Sequence, residues 1–185
     1  MIDTVGDEVE QTHAHVPQLV MSVPLDQQLT IMIQLLEQHK LDNPKGYKII
    51  MFFATARQTA YYASVLNSIG LNCLEIHSRK TQGHRTRVSE EFRSGSNMIM
   101  ASSDVSARGM DYPDVTFVLQ VGMTDRDQYI HRLGRTARAG KSGTGLLLLA
   151  PFEFDYMVKK ELSDLPLKHT LQTECLPNKL SPLVS

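Results

Sequence analysis

The sequence predicts an α/β fold in which a mostly parallel sheet lies between helices on both of its faces. Three observations predict it. Apolar runs of strand length alternate with amphipathic stretches of helix length. The runs are apolar almost without interruption, the pattern of strands buried on both faces. The switches between the two fall at turns containing Gly, Pro or Asn.

Gln18–Val23 opens the series as the first strand, and Leu25–His39 follows as a helix. In that helix Leu29, Ile33 and Leu36 stand at i, i+4 and i+7, one stripe for docking on the sheet. Tyr47–Phe53 is the second strand, and Ala56–Ile69 the second helix, with Gly70 in the usual position just past its end. Asn72–Ile76 and Thr81–Arg93 form the next strand and helix, followed by the strands Asn97–Ala101 and Thr116–Val121. A short helix at Asp127–Leu133, the strand Gly143–Ala150 and a last helix at Phe152–Leu162 complete the pattern. Helices placed between strands supply the crossovers that parallel pairing requires. The expected domain covers residues 17–165, with an N-terminal arm or linker at 1–16 and a tail or truncated extension at 166–185. At 185 residues the chain fits one core.

Composition narrows the class. No window approaches the roughly 18 apolar residues that a membrane-spanning helix needs, so a soluble protein without a membrane partner is expected. Net charge is −1 with a pI near 6.6, so any affinity for nucleic acid must come from a local basic patch. Cys73 and Cys175 lie far apart without zinc-ligand spacing, which points to a reducing, intracellular setting rather than a disulfide scaffold. Met1 leads into the acidic residues Asp3, Asp7, Glu8 and Glu10, so neither a secretory signal nor a transit peptide is visible.

In open parallel sheets, ligands bind beyond the carboxyl ends of the strands. The richest polar segment is His131-Arg132-Leu133-Gly134-Arg135-Thr136-Ala137-Arg138, with four cationic or potentially cationic side chains in eight positions. A guanidinium fork clamps phosphoryl oxygens, and Arg135 and Arg138, three apart, point the same way if the turn is helical. Such a run on its own also reads as a solvated basic helix end. A second segment, Ala101 to Asp111 (ASSDVSARGMD), follows an apolar strand directly, and its Asp104 and Arg108 are spaced to pair with each other or to meet a ligand. Gln82-Gly83-His84-Arg85 opens a helix, and Arg79, Lys80, Arg85 and Arg87 make a local basic patch. Ile50–Arg57 (IMFFATAR) ends a strand, with Phe52 and Phe53 as core, Thr55 as a helix cap and Arg57 free to meet a phosphate.

Together these four segments resemble motifs of the DEAD-box ATP-dependent RNA helicases: HRxGRxxR at His131–Arg138, ATDVAARGxD at Ala101–Asp111, QxxR at Gln82–Arg85 and IIFVNTxR at Ile50–Arg57. The resemblance runs from about Val16 to Leu165 and implies the family's C-terminal lobe, a RecA-like three-layer sandwich. It further implies that Arg135 and Arg138 are arginine fingers toward the γ-phosphate of ATP, with His131 coupling the nucleotide to the RNA site. Gly109 and Asp111 would approach the ATP ribose, and Arg57, Arg85 and Ser103 would hold an RNA backbone. ATP and its Mg²⁺ would be held mainly by an N-terminal RecA-like lobe of the same protein, and the RNA would be single-stranded or locally duplex. The phrases EIHSRKTQ, GMDYPDV, VLQVG and YIHRLGRTAR are most similar to the mitochondrial RNA-chaperone subgroup and its plant relatives, compatible with a mitochondrial or nuclear address. Two departures stand out: Ser78 replaces the glycine that usually follows the histidine, and Ala137 replaces the glycine common between the fingers.

Gly140-Lys141-Ser142 imitates the tail of a phosphate-binding loop, but that loop needs a glycine five positions earlier, where this chain has Arg135. No acidic DEAD-type run follows a strand either, so this segment is expected to be inactive as an ATPase alone. Two rivals remain at this stage: a lobe of another superfamily 2 motor, and a non-enzymatic RNA-binding or dimerising module of the same fold.

Overall fold

The computed structural model describes residues 15–106, 111–136 and 142–170. Its strands are β1 (Gln18–Ser22), β2 (Lys48–Phe53), β3 (Cys73–Ile76), β4 (Met98–Ser102), β5 (Phe117–Val121), β6 (Thr144–Leu149) and β7 (Lys168–His169). They form one sheet in the order β3-β4-β2-β5-β6-β1-β7, and every pairing is parallel. All carboxyl ends therefore leave at one edge. The helices are α1 (Leu25–Asp42), α2 (Ala56–Ser68), α3 (Gln82–Ser94), α4 (Arg126–Leu133) and α5 (Pro151–Tyr156). A wide helical turn at Met157–Glu161 extends α5.

Alternation along the strands divides the core. Ile49, Met51, Phe53, Leu119 and Leu148 face α1 and α2 in one cluster. Ile50, Phe52, Met100 and Val118 face Val88 and Phe92 of α3. Leu147 and Leu149 face Tyr129, Ile130 and Leu133 of α4, with Met157 beyond. The result is the expected three-layer sandwich, with α1 and α2 on one face and α3, α4 and α5 on the other.

Local chemistry sets the element ends. Thr55, Thr81 and Asp125 cap α2, α3 and α4 by accepting from backbone N–H groups three residues on. Gly70 ends α2 at φ +84°, a conformation that costs a residue without Cβ little. Asn72 and Asn97 take φ of 47° and 57° just before β3 and β4, where asparagine is better tolerated than most side chains.

Two expectations shift. The buried stripe of α1 is Gln28, Ile31, Met32, Leu35 and Leu36, whereas Leu29 and Ile33 are only partly buried. The helix is rotated toward the i+3/i+4 doublets because both Met32 and Leu36 are fully enclosed. The segment read as a tail from residue 166 also contributes: Lys168 and His169 pair with β1, and Thr170 N–H donates to Val20 O. Two paired residues leave too short a run for periodicity to reveal. At the other end Val16, read as part of the arm, is buried in the α4 cluster.

Candidate nucleotide and nucleic-acid interface

The carboxyl edge gathers three of the expected contacts. Arg57 is exposed in the first turn of α2, beyond β2. Ser103 follows β4, 7% exposed, and its N–H donates to Ile76 O at the end of β3. Arg85 lies in the first turns of α3, where its Nη2 donates to Gln82 Oε1 at 2.7 Å while its Nε is buried without a partner. A buried guanidinium N–H left unbonded is costly in a folded protein, so a shift of the Arg85 side chain that lets Nε donate to a further oxygen would be favoured.

The neighbouring loop is held by its histidine. The Arg79 N–H donates to His77 Nδ1, which makes Nε2 the protonated nitrogen, and Nε2 donates to Glu75 Oε1 at 2.7 Å. Lys80 Nζ lies 3.2 Å from the other oxygen of Glu75, so part of the basic patch is neutralised within the lobe. Arg79 remains exposed. Ser78 stands in a turn closed by Lys80 N–H to His77 O, and it is not among the residues with positive φ. The serine in place of glycine therefore imposes no backbone strain here.

Among the described residues, Arg135 does not lie at a strand end. α4 runs back across the sheet, so that Thr136, just past it, donates from its hydroxyl to Val115 O ahead of β5. Arg135 continues the last turn, its N–H on Arg132 O, and its Nε donates to His131 O at 3.3 Å. Only 8% of Arg135 is exposed. His131 is half-buried and Asp111 exposed. Asp111 immediately precedes Tyr112, which is fully buried between α3 and the sheet, edge-on to Phe92 and bonded to the Ser89 hydroxyl. Burial pushes the Tyr112 phenol above its ordinary pKa, with the Ser89 bond and the charge of Arg135 pulling the other way. Gly109 and Arg138, two of the expected contacts, lie outside the described residues.

Sequence reasoning missed the link between these regions. Arg132 is 1% exposed, and its Nε and Nη2 both reach Asp104 Oδ1 at 2.7 Å. Its guanidinium lies 5.5 Å from the centre of the Phe52 ring. The i, i+4 spacing left Asp104 to pair with Arg108 or to meet a ligand, and Arg108 lies outside the described residues. Residues 104–106 form only a single tight turn, which leaves the carboxylate free to meet α4.

Among the described residues no three of His, Cys, Asp or Glu stand together as a cation site, so nothing in them fits a divalent metal.

A family model of the helicase conserved C-terminal domain matches residues 27–140. The chain belongs to this helicase C-terminal family. Among curated relatives, the DEAD-box ATP-dependent RNA helicase 25 of Oryza sativa subsp. japonica is 55% identical over 153 residues, 82% of this chain and 26% of that protein. The DEAD-box ATP-dependent RNA helicase 31 of the same plant is 50% identical over 90% of the chain and 30% of its own length. The chain thus spans under a third of these relatives. Solved structures agree in fold. The DEAD-box helicase Mss116 bound to ssRNA and UDP-BeF superposes with a TM-score of 0.75 at 28% identity, over 89% of this chain and 36% of that one. Domain 2 of Mss116p bound to an RNA duplex gives 0.72 at 27% identity, over 89% of this chain and 71% of that one. The helicase lobe described here is therefore a RecA-like sandwich of the DEAD-box kind.

Proposed function

We propose that this lobe is the C-terminal half of an ATP-dependent RNA helicase or RNA chaperone, and that it supplies arginine fingers and RNA-backbone contacts for local duplex unwinding. The observation that carries the reading is the placement of Ser103, Arg57 and Arg85 at the carboxyl edge, with Asp111 next in the chain to the anchored Tyr112. The relatives named as RNA helicases, and the Mss116 structures with RNA and a nucleotide analogue, support it.

In this reading Arg135 and Arg138 stabilise charge on the phosphoryl group transferred from ATP on an N-terminal lobe of the same protein, which also holds Mg²⁺. Such fingers contribute roughly 10³–10⁵ in rate in other phosphoryl-transfer enzymes. Arg135 must leave the His131 carbonyl to do so, and His131 is then free to relay the change. Gly109 and Asp111 meet the ribose. The partner is single-stranded or locally duplex RNA held by its phosphates, so affinity is independent of sequence and falls with salt. RNA promotes turnover only by favouring the closed arrangement of the two lobes. Residues 16–170 form the working lobe, with flanking segments joining it to the rest of the protein in a reducing intracellular compartment, mitochondrial or nuclear.

The test is an RNA titration of this chain at rising ionic strength. The reading predicts weak binding that declines steeply with salt, is equal for unrelated single strands, and is weakened by Arg85→Ala. A salt-independent, sequence-selective interaction would instead establish a non-enzymatic binding module.

A further inference from the structure

Outside the expected contacts, the largest fully buried side chain of the described residues is a charged one, Arg132. It lies between two segments that the proposed function treats separately. Asp104, its partner, is the residue after Ser103 and opens the turn Asp104–Ser106. On the other side, the Arg132 carbonyl accepts the N–H of Arg135, and the side chain of Arg135 bonds the carbonyl of His131, the residue before Arg132. One side chain thus joins the loop beyond β4 to the finger turn.

The geometry is that of a strut rather than a surface ion pair. Both Nε and Nη2 converge on a single carboxylate oxygen at 2.7 Å, and the flat guanidinium rests on the Phe52 ring of β2, itself fully buried. The third nitrogen, Nη1, is buried and has no partner. A buried arginine with one N–H unbonded is costly compared with an apolar side chain of the same size, so stability alone does not explain its presence. Its partner is asymmetric: the Asp104 side chain is 35% exposed, against 2% for Arg132. The accessible end of the pair is therefore the loop end, where an RNA phosphate at Ser103 would arrive, and the enclosed end is the helix that leads into Arg135.

We infer that Arg132 is a positioning residue that, through Asp104, transmits the state of the Ser103 loop to the Arg135 turn, so that RNA engagement sets the finger for ATP turnover. The inference rests on the proposed function and adds to it the path by which RNA reaches the finger. Neither Arg132 nor Asp104 contacts nucleotide or RNA in this scheme. Their loss should act on the turnover rate that RNA elicits, not on the affinity for either ligand.

The experiment uses this chain joined to a matching N-terminal lobe, with ATP turnover measured over a range of RNA and ATP concentrations. The variants are Arg132→Lys, Asp104→Asn and the two combined, each first checked for a thermal midpoint close to that of the parent. The expected result is that each single change lowers RNA-stimulated kcat about 10-fold or more, while the RNA concentration for half-stimulation and the KM for ATP move less than about 3-fold. The combined variant should be no worse than the worse single one, because both changes cut the same link. Three outcomes overturn the inference. They are undiminished kcat in both single variants, losses that multiply in the combined variant, and weaker RNA binding in step with kcat. The last would show that Asp104 or Arg132 is a direct RNA contact. Absence of RNA-stimulated turnover in the unsubstituted protein would instead defeat the proposed function, and this inference with it.

Discussion

The two faces of the sheet are built differently. Under α1 and α2 the strands bury a continuous apolar cluster from Met21 and Ile31 to Phe53 and Leu148, and burying each such side chain stabilises the fold by about 1.5–3 kcal/mol. Under α3 and α4 the apolar contacts are split into two smaller clusters. Between them lie buried polar groups: Arg132, Arg135, Thr136, Gln120 and the hydroxyl of Tyr112. Buried polar groups each need a partner to avoid a penalty. Here they bond to backbone carbonyls, to Ser89 and to Asp104, while Arg132 Nη1 and Gln120 Oε1 have no partner. The first face holds the lobe together. The second stores the connections between its candidate ligand sites.

That division can be broken most severely on the first face. Phe53→Ala empties the centre of the larger cluster, where Phe53 also stacks on Tyr62 with centroids 4.6 Å apart. It should cost about 3–5 kcal/mol of unfolding free energy in a denaturant titration. In the fraction that remains folded, RNA affinity should be unchanged. A loss of RNA affinity greater than the folded fraction explains would mean that the faces are not separable.

On the second face the expected effect on stability is smaller and the effect on function larger. Tyr112→Phe keeps the ring against Phe92 but removes the hydroxyl bonded to Ser89. The stability loss should be about 1 kcal/mol. Because Asp111 adjoins that anchor, RNA-stimulated ATP turnover in the protein joined to an N-terminal lobe should fall several-fold. Unaltered turnover would show that the ring alone holds Asp111 in place.

The smallest expected effect is a pH dependence on the first face. Burial lowers the pKa of His39 below its ordinary value, against a smaller opposing pull from Asp42. His39 also meets the Thr116 hydroxyl at 2.8 Å and stacks on Phe117. The folded state binds a proton less readily than the unfolded chain, so His39 stabilises the fold fully above pH 6.5, the unfolded value, and that contribution is lost as pH falls toward its folded value. Denaturant midpoints at pH 7.5 and 5.5 should therefore differ more in the parent than in His39→Gln. Equal differences would place the titration elsewhere.

Much of the fold was legible in the sequence because parallel strands buried between helices write themselves as mostly apolar runs, and six of the seven strands carry such a run, interrupted only by single polar residues such as Glu75 and Gln120. β7 does not: two exposed residues joined to the edge by β1 leave no pattern. The contacts of the candidate site were legible as residue types. Their placement was not, because it depends on where α4 ends. Arg135 was expected in the turn after a short helix, and the return of α4 across the sheet sets that turn beside Val115, near the start of β5. Arg132 was counted only as one more cation in a basic run. Its role emerges from a contact spanning 28 residues, which no local spacing rule encodes.

The central claim is that this lobe completes an ATP-hydrolysing site across a cleft. It is tested most directly by measuring RNA-stimulated ATP turnover of the chain joined to a matching N-terminal lobe, with and without Arg138→Ala, at unchanged thermal stability. The account predicts that the parent turns over ATP in response to RNA and that the variant loses most of that rate, on the order of 10³-fold. Undiminished turnover by the variant would contradict it.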